Sequence, residues 1–315
     1  MYNIGILSTA SIVPRFIEGV RLSSSFRVLG IASRDNEKAK EYASKYLLER
    51  SYGSYEELLA DRDIDIVYLP LINSLHFKYG KMAIESGKHV IIEKPFVLHK
   101  KEAIELFELA KQRKVFLMEA QKALFLKTTR RLKELLAGNI IGNVKYLEAN
   151  LFFKANYPEE HWMNDHEKGG GCLYGSFSYP FELVSYLFPI DEYEAKASFI
   201  KGRGSSDCLA LVQMHFGNKL FNIAIGMDID GDNVLVIHGD KGSIRIKDFH
   251  RGDRIEIRTI EETVIEEYPH QSEFVYELEH IAKCLEDGFL TSPVCTSNLT
   301  IRTVALVEEL YEEFQ

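Results

Sequence analysis

The sequence predicts an α/β domain followed by an α+β domain, the second built on a large, mainly antiparallel open sheet. Three observations carry this. The first 120 residues alternate short apolar runs with amphipathic segments, the mark of a parallel sheet covered on both faces. After residue 122 the rhythm changes to closely spaced strand patterns with hairpin signals between them. Two helical patterns then close the chain. The expected boundary falls between residues 1–122 and 123–315.

In the first part, strands are expected at 3–7, 26–33, 64–70, 89–93 and 115–119, with helices at 11–22, 36–45, 75–86 and 100–113. Ser54-Tyr55-Glu56-Glu57 reads as a capping box opening a short helix, and Gly87 as a helix stop. In the second part a helix at 128–137 precedes strands at 144–153, 195–200, 208–216, 220–227, 234–238, 243–247, 254–259 and 262–267. Phe216-Gly217-Asn218-Lys219 and Gly239-Asp240-Lys241-Gly242 supply hairpin turns. Helices at 272–287 and 297–314 end the pattern.

A length of 315 residues with 46% hydrophobic and 27% charged residues is that of an ordinary globular protein of about two domains. The net charge of −9 argues against a general nucleic-acid binder. Cys172, Cys208, Cys284 and Cys295 form no CxxC pair, so reduced thiols are expected, with neither a disulfide framework nor a metal site. The chain enters an apolar strand at Tyr2 with no basic leader, and no run of about 18 apolar residues exists to span a bilayer. A cytoplasmic location away from membranes is expected.

The candidate cofactor residues lie at predicted strand ends. Ser8, Ala10 and Val13 stand where the small residues of a G-x-G-x-x-G/A turn would be, making Ser8, Thr9, Ala10, Ser11 and Ile12 a candidate pyrophosphate cradle of a Rossmann domain. An ordinary strand–turn–helix with Ser11 as N-cap reads the same residues equally well. The second strand runs into Ser33-Arg34-Asp35, with Lys38 one turn later. A hydroxyl followed by a guanidinium attracts a ribose 2′-phosphate where a carboxylate would repel it, so NADP(H) is favoured over NAD(H). Leu71, Asn73, His76, Glu93 and Lys94 follow the next strands at the rim where open α/β sheets bind ligands. A lysine directly after a buried strand is poorly explained by solubility. Beside a nicotinamide it can bond the reacting oxygen and stabilise its charge.

These motifs in this order resemble the Gfo/Idh/MocA oxidoreductases. The likeness runs from Asn73–His76 through Glu93-Lys94-Pro95 and Met118-Glu119-Ala120-Gln121-Lys122 to Gly169-Gly170-Gly171 and on to Tyr179, so it spans essentially the whole chain. It implies an NAD(P)-dependent dehydrogenase or reductase acting on sugars, polyols or related small hydroxyl and carbonyl compounds. Lys94 and Tyr179 are the implied acid/base candidates. Members usually carry an Asp after the glycines and a Tyr or His four residues on; here the Asp position is Gly175. A non-catalytic NADP(H)-binding sensor of the same fold is the competing reading, and Gly175 is its support.

Residues 156–166 hold the single Trp and two His just before the glycines. Tyr157, His161 and Trp162 offer faces for C–H groups and partners for hydroxyls, so with Lys94 and Tyr179 they form the candidate contacts to a carbohydrate-like substrate. A loop merely packed on the domain junction is the alternative. A wide sheet with helices on one face leaves the other to be covered, so a homodimer or homotetramer through the C-terminal sheet is expected.

Overall fold

The computed structural model describes residues 1–155, 157–188, 190, 192–312 and 314. Two compact units emerge: Met1–Gln121 with Gln271–Val304, and Lys122–His270 with Ala305–Gln315.

The first unit holds strands β1 (Tyr2–Leu7), β2 (Phe26–Ala32), β3 (Arg50–Tyr52), β4 (Ile66–Leu69), β5 (His89–Glu93) and β6 (Leu117–Ala120). Their spatial order is β3-β2-β1-β4-β5-β6, and every pairing is parallel. This is the Rossmann order, which reverses direction between β1 and β4 and opens a crevice at their carboxyl ends. The strands read as continuous apolar runs because they are buried on both faces: all four residues of β4 and of β6 are buried. Helices α1 (Val13–Arg21), α2 (Asn36–Lys45), α3 (Tyr55–Ala60), α4 (His76–Glu85) and α5 (Lys100–Arg113) connect them. A later helix, α9 (Val275–Glu286), adds to this unit. Just before it, Phe274 sets its ring edge-on to Phe16 of α1 at 5.7 Å, and Arg15 pairs with Glu273.

The capping box forms in part. Ser54 Oγ accepts the Glu57 N–H at 3.1 Å, while the Glu57 carboxylate accepts from the Gly53 N–H at 2.9 Å, one residue earlier than the usual return bond. Edge strand β3 went unpredicted. Three residues carry too little alternation to register, and Arg50 and Tyr52 hold the strand through bonds of 2.5 and 2.6 Å to Asp61.

In the second unit, α6 (Lys127–Ala137) is followed by β7 (Val144–Phe152), α7 (Cys172–Ser176), α8 (Ser178–Leu187), then β8 (Glu194–Lys201), β9 (Asp207–Phe216), β10 (Lys219–Gly226), β11 (Val234–Gly239), β12 (Gly242–Lys247), β13 (Arg254–Thr259) and β14 (Thr263–Glu267). The eight strands order as β14-β13-β12-β11-β7-β10-β9-β8. All pairings are antiparallel except β7 with β10. Alternation then decides which side chains are inside: β9 and β10 bury Ala210, Val212, Met214, Phe221, Ile223 and Ile225. Leu211, Gln213, His215 and Leu220 stay exposed on the other face, a mixed surface rather than a purely apolar one. The last helix, α10 (Ser297–Glu312), supplies residues to both units. No helix among the described residues is long and apolar enough to cross a membrane.

Candidate active site

In the first unit the candidate residues gather at the carboxyl ends of the strands. After β1, Ser8 adopts φ 132°, a conformation L side chains rarely take and glycine usually supplies. Its hydroxyl holds it there, donating to Pro70 O at 2.7 Å and accepting from the Ala10 N–H at 3.2 Å. This ties the β1 turn to the end of β4. The cap of α1 is Ile12, no side chain caps the helix, and Pro14 occupies its first turn. Ser11 therefore does not serve as the N-cap. The Val13 N–H already bonds Ala10 O at 3.0 Å and Pro14 carries none, so it is chiefly the helix dipole at this terminus that suits an anion, and Ser8 to Ile12 are half-buried or exposed. These residues fit a dinucleotide pyrophosphate.

At the end of β2, the Ser33 hydroxyl accepts the Asp35 N–H at 3.2 Å, and Asp35 caps α2 by accepting from Glu37 and Lys38 N–H groups. The Asp35 carboxylate is thereby engaged at the helix. Arg34 and Lys38 are exposed. The Arg34 guanidinium reaches the Tyr55 hydroxyl; burial pushes that phenol's pKa up, and the neighbouring guanidinium opposes the shift.

The frame around Lys94 is rigid. Glu93 accepts from the Tyr68 hydroxyl at 2.6 Å and from the Lys94 N–H at 3.2 Å. Tyr68 itself stacks on Phe16 with ring centroids 3.7 Å apart. His76 is fully buried at the start of α4, with Nδ1 2.8 Å from Pro95 O and Nε2 3.1 Å from Leu71 O. Burial lowers the His76 pKa, outweighing the two carbonyls and the Glu93 charge that favour the imidazolium. The ring thus ties the loop after β4 to the loop after β5. Asn73 is buried in a helical turn between them, Leu71 and Lys94 are half-buried, and the Lys94–Pro95 peptide is cis. His76, Asn73 and Glu93 lie behind the rim, while Lys94 is on it.

In the second unit Tyr179 sits in the first turn of α8 and is buried. Its hydroxyl accepts a bond from the Lys122 ammonium, which also lies 4.7 Å from the ring centroid, and the His250 ring is 5.3 Å away. Sequence reasoning missed Lys122 and His250. For Lys122 a signal existed: like Lys94, it follows a buried apolar strand closely, two residues after β6.

The glycines ahead of Tyr179 are consumed by packing. A Cβ on Gly170 would come within 2.5–2.7 Å of the carbonyl oxygens of Trp162, Met163 and Asp165. At Gly171, with φ 111°, it would lie 2.0 Å from Asp207 Oδ1. Asp207 is fully buried and accepts from Tyr311 OH at 2.7 Å, Cys172 Sγ at 2.8 Å and the Leu173 N–H at 3.0 Å. Burial and this carboxylate raise the Cys172 thiol and Tyr311 phenol pKa values well above their usual ranges. Gly175 differs: a Cβ there would meet only Met163 Cε, at 3.6 Å.

Before the glycines, the Tyr157 and His161 rings stack at 4.2 Å, and Trp162 lies 5.8 Å from His161. His161 Nδ1 accepts the Met163 N–H at 3.2 Å, which fixes Nε2 as the protonated nitrogen of the neutral ring, and burial lowers its pKa. All three rings are half-buried, as a contact platform requires. Asn156, the first residue of this predicted loop, lies outside the described residues.

A parallel sheet of this order is the architecture of a dinucleotide-binding fold, and here the chain also carries a large, mainly antiparallel sheet. The model described as "Oxidoreductase family, NAD-binding Rossmann fold" of the Gfo/Idh/MocA group matches residues 2–121, and the Gfo/Idh/MocA C-terminal domain model matches residues 129–245. Trans-1,2-dihydrobenzene-1,2-diol dehydrogenase of Xenopus laevis is 29% identical over 98% of this chain and 97% of its own. An uncharacterised oxidoreductase of Synechocystis is 30% identical over 76% of this chain and 71% of its own. Among solved structures, a 3-ketoreductase from Actinomadura kijaniata in complex with NADP and TDP-benzene superposes with a TM-score of 0.88 at 22% identity, covering 99% of this chain and 97% of that one. An aldose-aldose oxidoreductase from Caulobacter crescentus complexed with glycerol gives 0.87 at 22% identity, covering 99% and 96%. The chain belongs to the Gfo/Idh/MocA family of oxidoreductases.

Proposed function

We propose that this protein is an NADP(H)-dependent oxidoreductase that moves a hydride to or from a carbon bearing oxygen in a sugar, polyol or related small hydroxyl or carbonyl compound. The observation that carries it is the frame around Lys94: Tyr68, Glu93, His76 and Pro95 fix the backbone on both sides of one half-buried ammonium, at the sheet edge that receives ligands. A fold kept only to bind a nucleotide has little need of that cation. When bound, NADP(H) supplies or accepts the hydride, and the protein supplies position, charge and the accompanying proton.

Ser8, Thr9, Ala10, Ser11 and Ile12 would hold the pyrophosphate. Ser33, Arg34 and Lys38 would take the ribose 2′-phosphate, and Leu71 with Asn73 the nicotinamide end. His76 and Glu93 act by shaping that rim. Lys94 polarises the reacting oxygen, and either Lys94 or Tyr179 transfers the proton as charge develops there. Tyr157, His161 and Trp162 give the substrate a stacking surface and one outward N–H. Diol oxidation and keto reduction, the activities named for the relatives, both fit this set of groups. The mixed outer face of the second sheet is the surface proposed for self-association into a dimer or tetramer.

The test is NADPH oxidation, and NADP reduction, against panels of carbonyl compounds and polyols. Lys94→Ala is expected to lower turnover by a factor of about a hundred or more while nucleotide binding, read by NADPH fluorescence, is kept. Unchanged turnover would remove Lys94 from the chemistry. Tight NADPH binding without turnover across both panels would support a sensor instead.

A further inference from the structure

Lys122 is 5% exposed, and an ammonium is not buried to that degree without a partner that offsets the loss of water. It donates a hydrogen bond to the Tyr179 hydroxyl and lies over the face of the same ring. A lysine ammonium has only donors, so the direction of this bond is fixed by chemistry: the phenol oxygen accepts, and the phenol's own proton is turned elsewhere. The backbone that carries Lys122 is held in turn. Residues 122–125 form a tight helical turn, and Thr129 Oγ1 of α6 donates to Ala123 O at 2.6 Å. Four residues before Tyr179 the chain has Gly175, which brings no side chain of its own toward the phenol.

We infer that Lys122 is the positioning residue for Tyr179, setting the orientation of its phenol from the ammonium side. A carboxylate would accept the phenol's proton and link it into a relay. An ammonium cannot. It turns the phenol proton away from Lys122 and stabilises charge left on the oxygen as that proton departs. The inference rests on the proposed reading of Tyr179 as a proton-transfer group.

Full-length Lys122→Met, Lys122→Arg, Tyr179→Phe, the Lys122→Met/Tyr179→Phe double variant and Lys94→Ala would be compared by steady-state turnover, NADPH fluorescence titration and thermal melting. Lys122→Met is expected to lower kcat about 10- to 100-fold with NADPH affinity within about twofold. Lys122→Arg, which keeps a cationic donor, should recover most of that loss, and the double variant should be no slower than Tyr179→Phe alone. A kcat for Lys122→Met within about threefold of the parent, an arginine variant as slow as the methionine one, or losses that multiply in the double variant would overturn the inference. Should Lys122→Met fail to fold, Lys122→Arg against the neutral Lys122→Gln carries the same comparison. Lys94→Ala separates the two layers: if it retains full turnover the functional reading fails, whereas a slow Lys94→Ala beside an unimpaired Lys122→Met removes only the positioning role.

Discussion

Two turns in this chain are made of small residues, and they use smallness in different ways. At residues 8–12 the small side chains leave the first turn of α1 uncapped and accessible. At residues 169–171 the space is taken by the protein itself, with carbonyl oxygens crowding Gly170 and the Asp207 carboxylate crowding Gly171. The first turn is left open; the second is packed around a buried carboxylate that the fold must satisfy. Both look like ligand loops in sequence, and the difference lies in what a methyl group would strike.

Gly171→Ala should break the second turn outright. A positive φ and a 2.0 Å approach to Asp207 would together cost about 3 kcal/mol or more, read as a fall in melting temperature of about 5–10 °C. A melting temperature within a degree of the parent would mean that the turn relaxes freely, and the contrast would vanish. At the first turn's neighbour, Arg34→Ala should raise the dissociation constant for NADPH about tenfold or more while changing NADH little, because a charge-assisted bond to phosphate contributes about 1.5–3 kcal/mol. Equal losses for the two nucleotides would dismiss the phosphate site and leave Arg34 as a partner of Tyr55. The smallest effect is expected at Gly175→Asp. With only Met163 Cε at 3.6 Å, stability should shift by no more than about 0.5 kcal/mol. A large loss would show that Gly175 belongs with the packed glycines.

The parallel sheet was legible because buried parallel strands announce themselves as short apolar runs, and their last residues then mark the rim. Arg34, Glu93 and Lys94 were proposed on that ground. Hidden from sequence were features that depend on distant partners. Lys122 and Tyr179 lie 57 positions apart, and Asp207 with Tyr311 lie 104 apart, so neither couple leaves a local pattern. His76 illustrates a subtler limit. Its spacing before Glu93-Lys94-Pro95 could be read as a ligand contact, but only coordinates show both ring nitrogens occupied by carbonyls.

Neither unit is a continuous stretch of chain, since residues 271–304 complete the first and residues after 304 complete the second. During synthesis on a ribosome, an emerging chain that has passed Asp207 carries a carboxylate whose phenol partner has yet to be made. Phe16 of α1 waits longer still for Phe274. Maturation of both halves is therefore deferred to the final stretch of translation, and a polypeptide released after residue 270 would hold two unfinished cores.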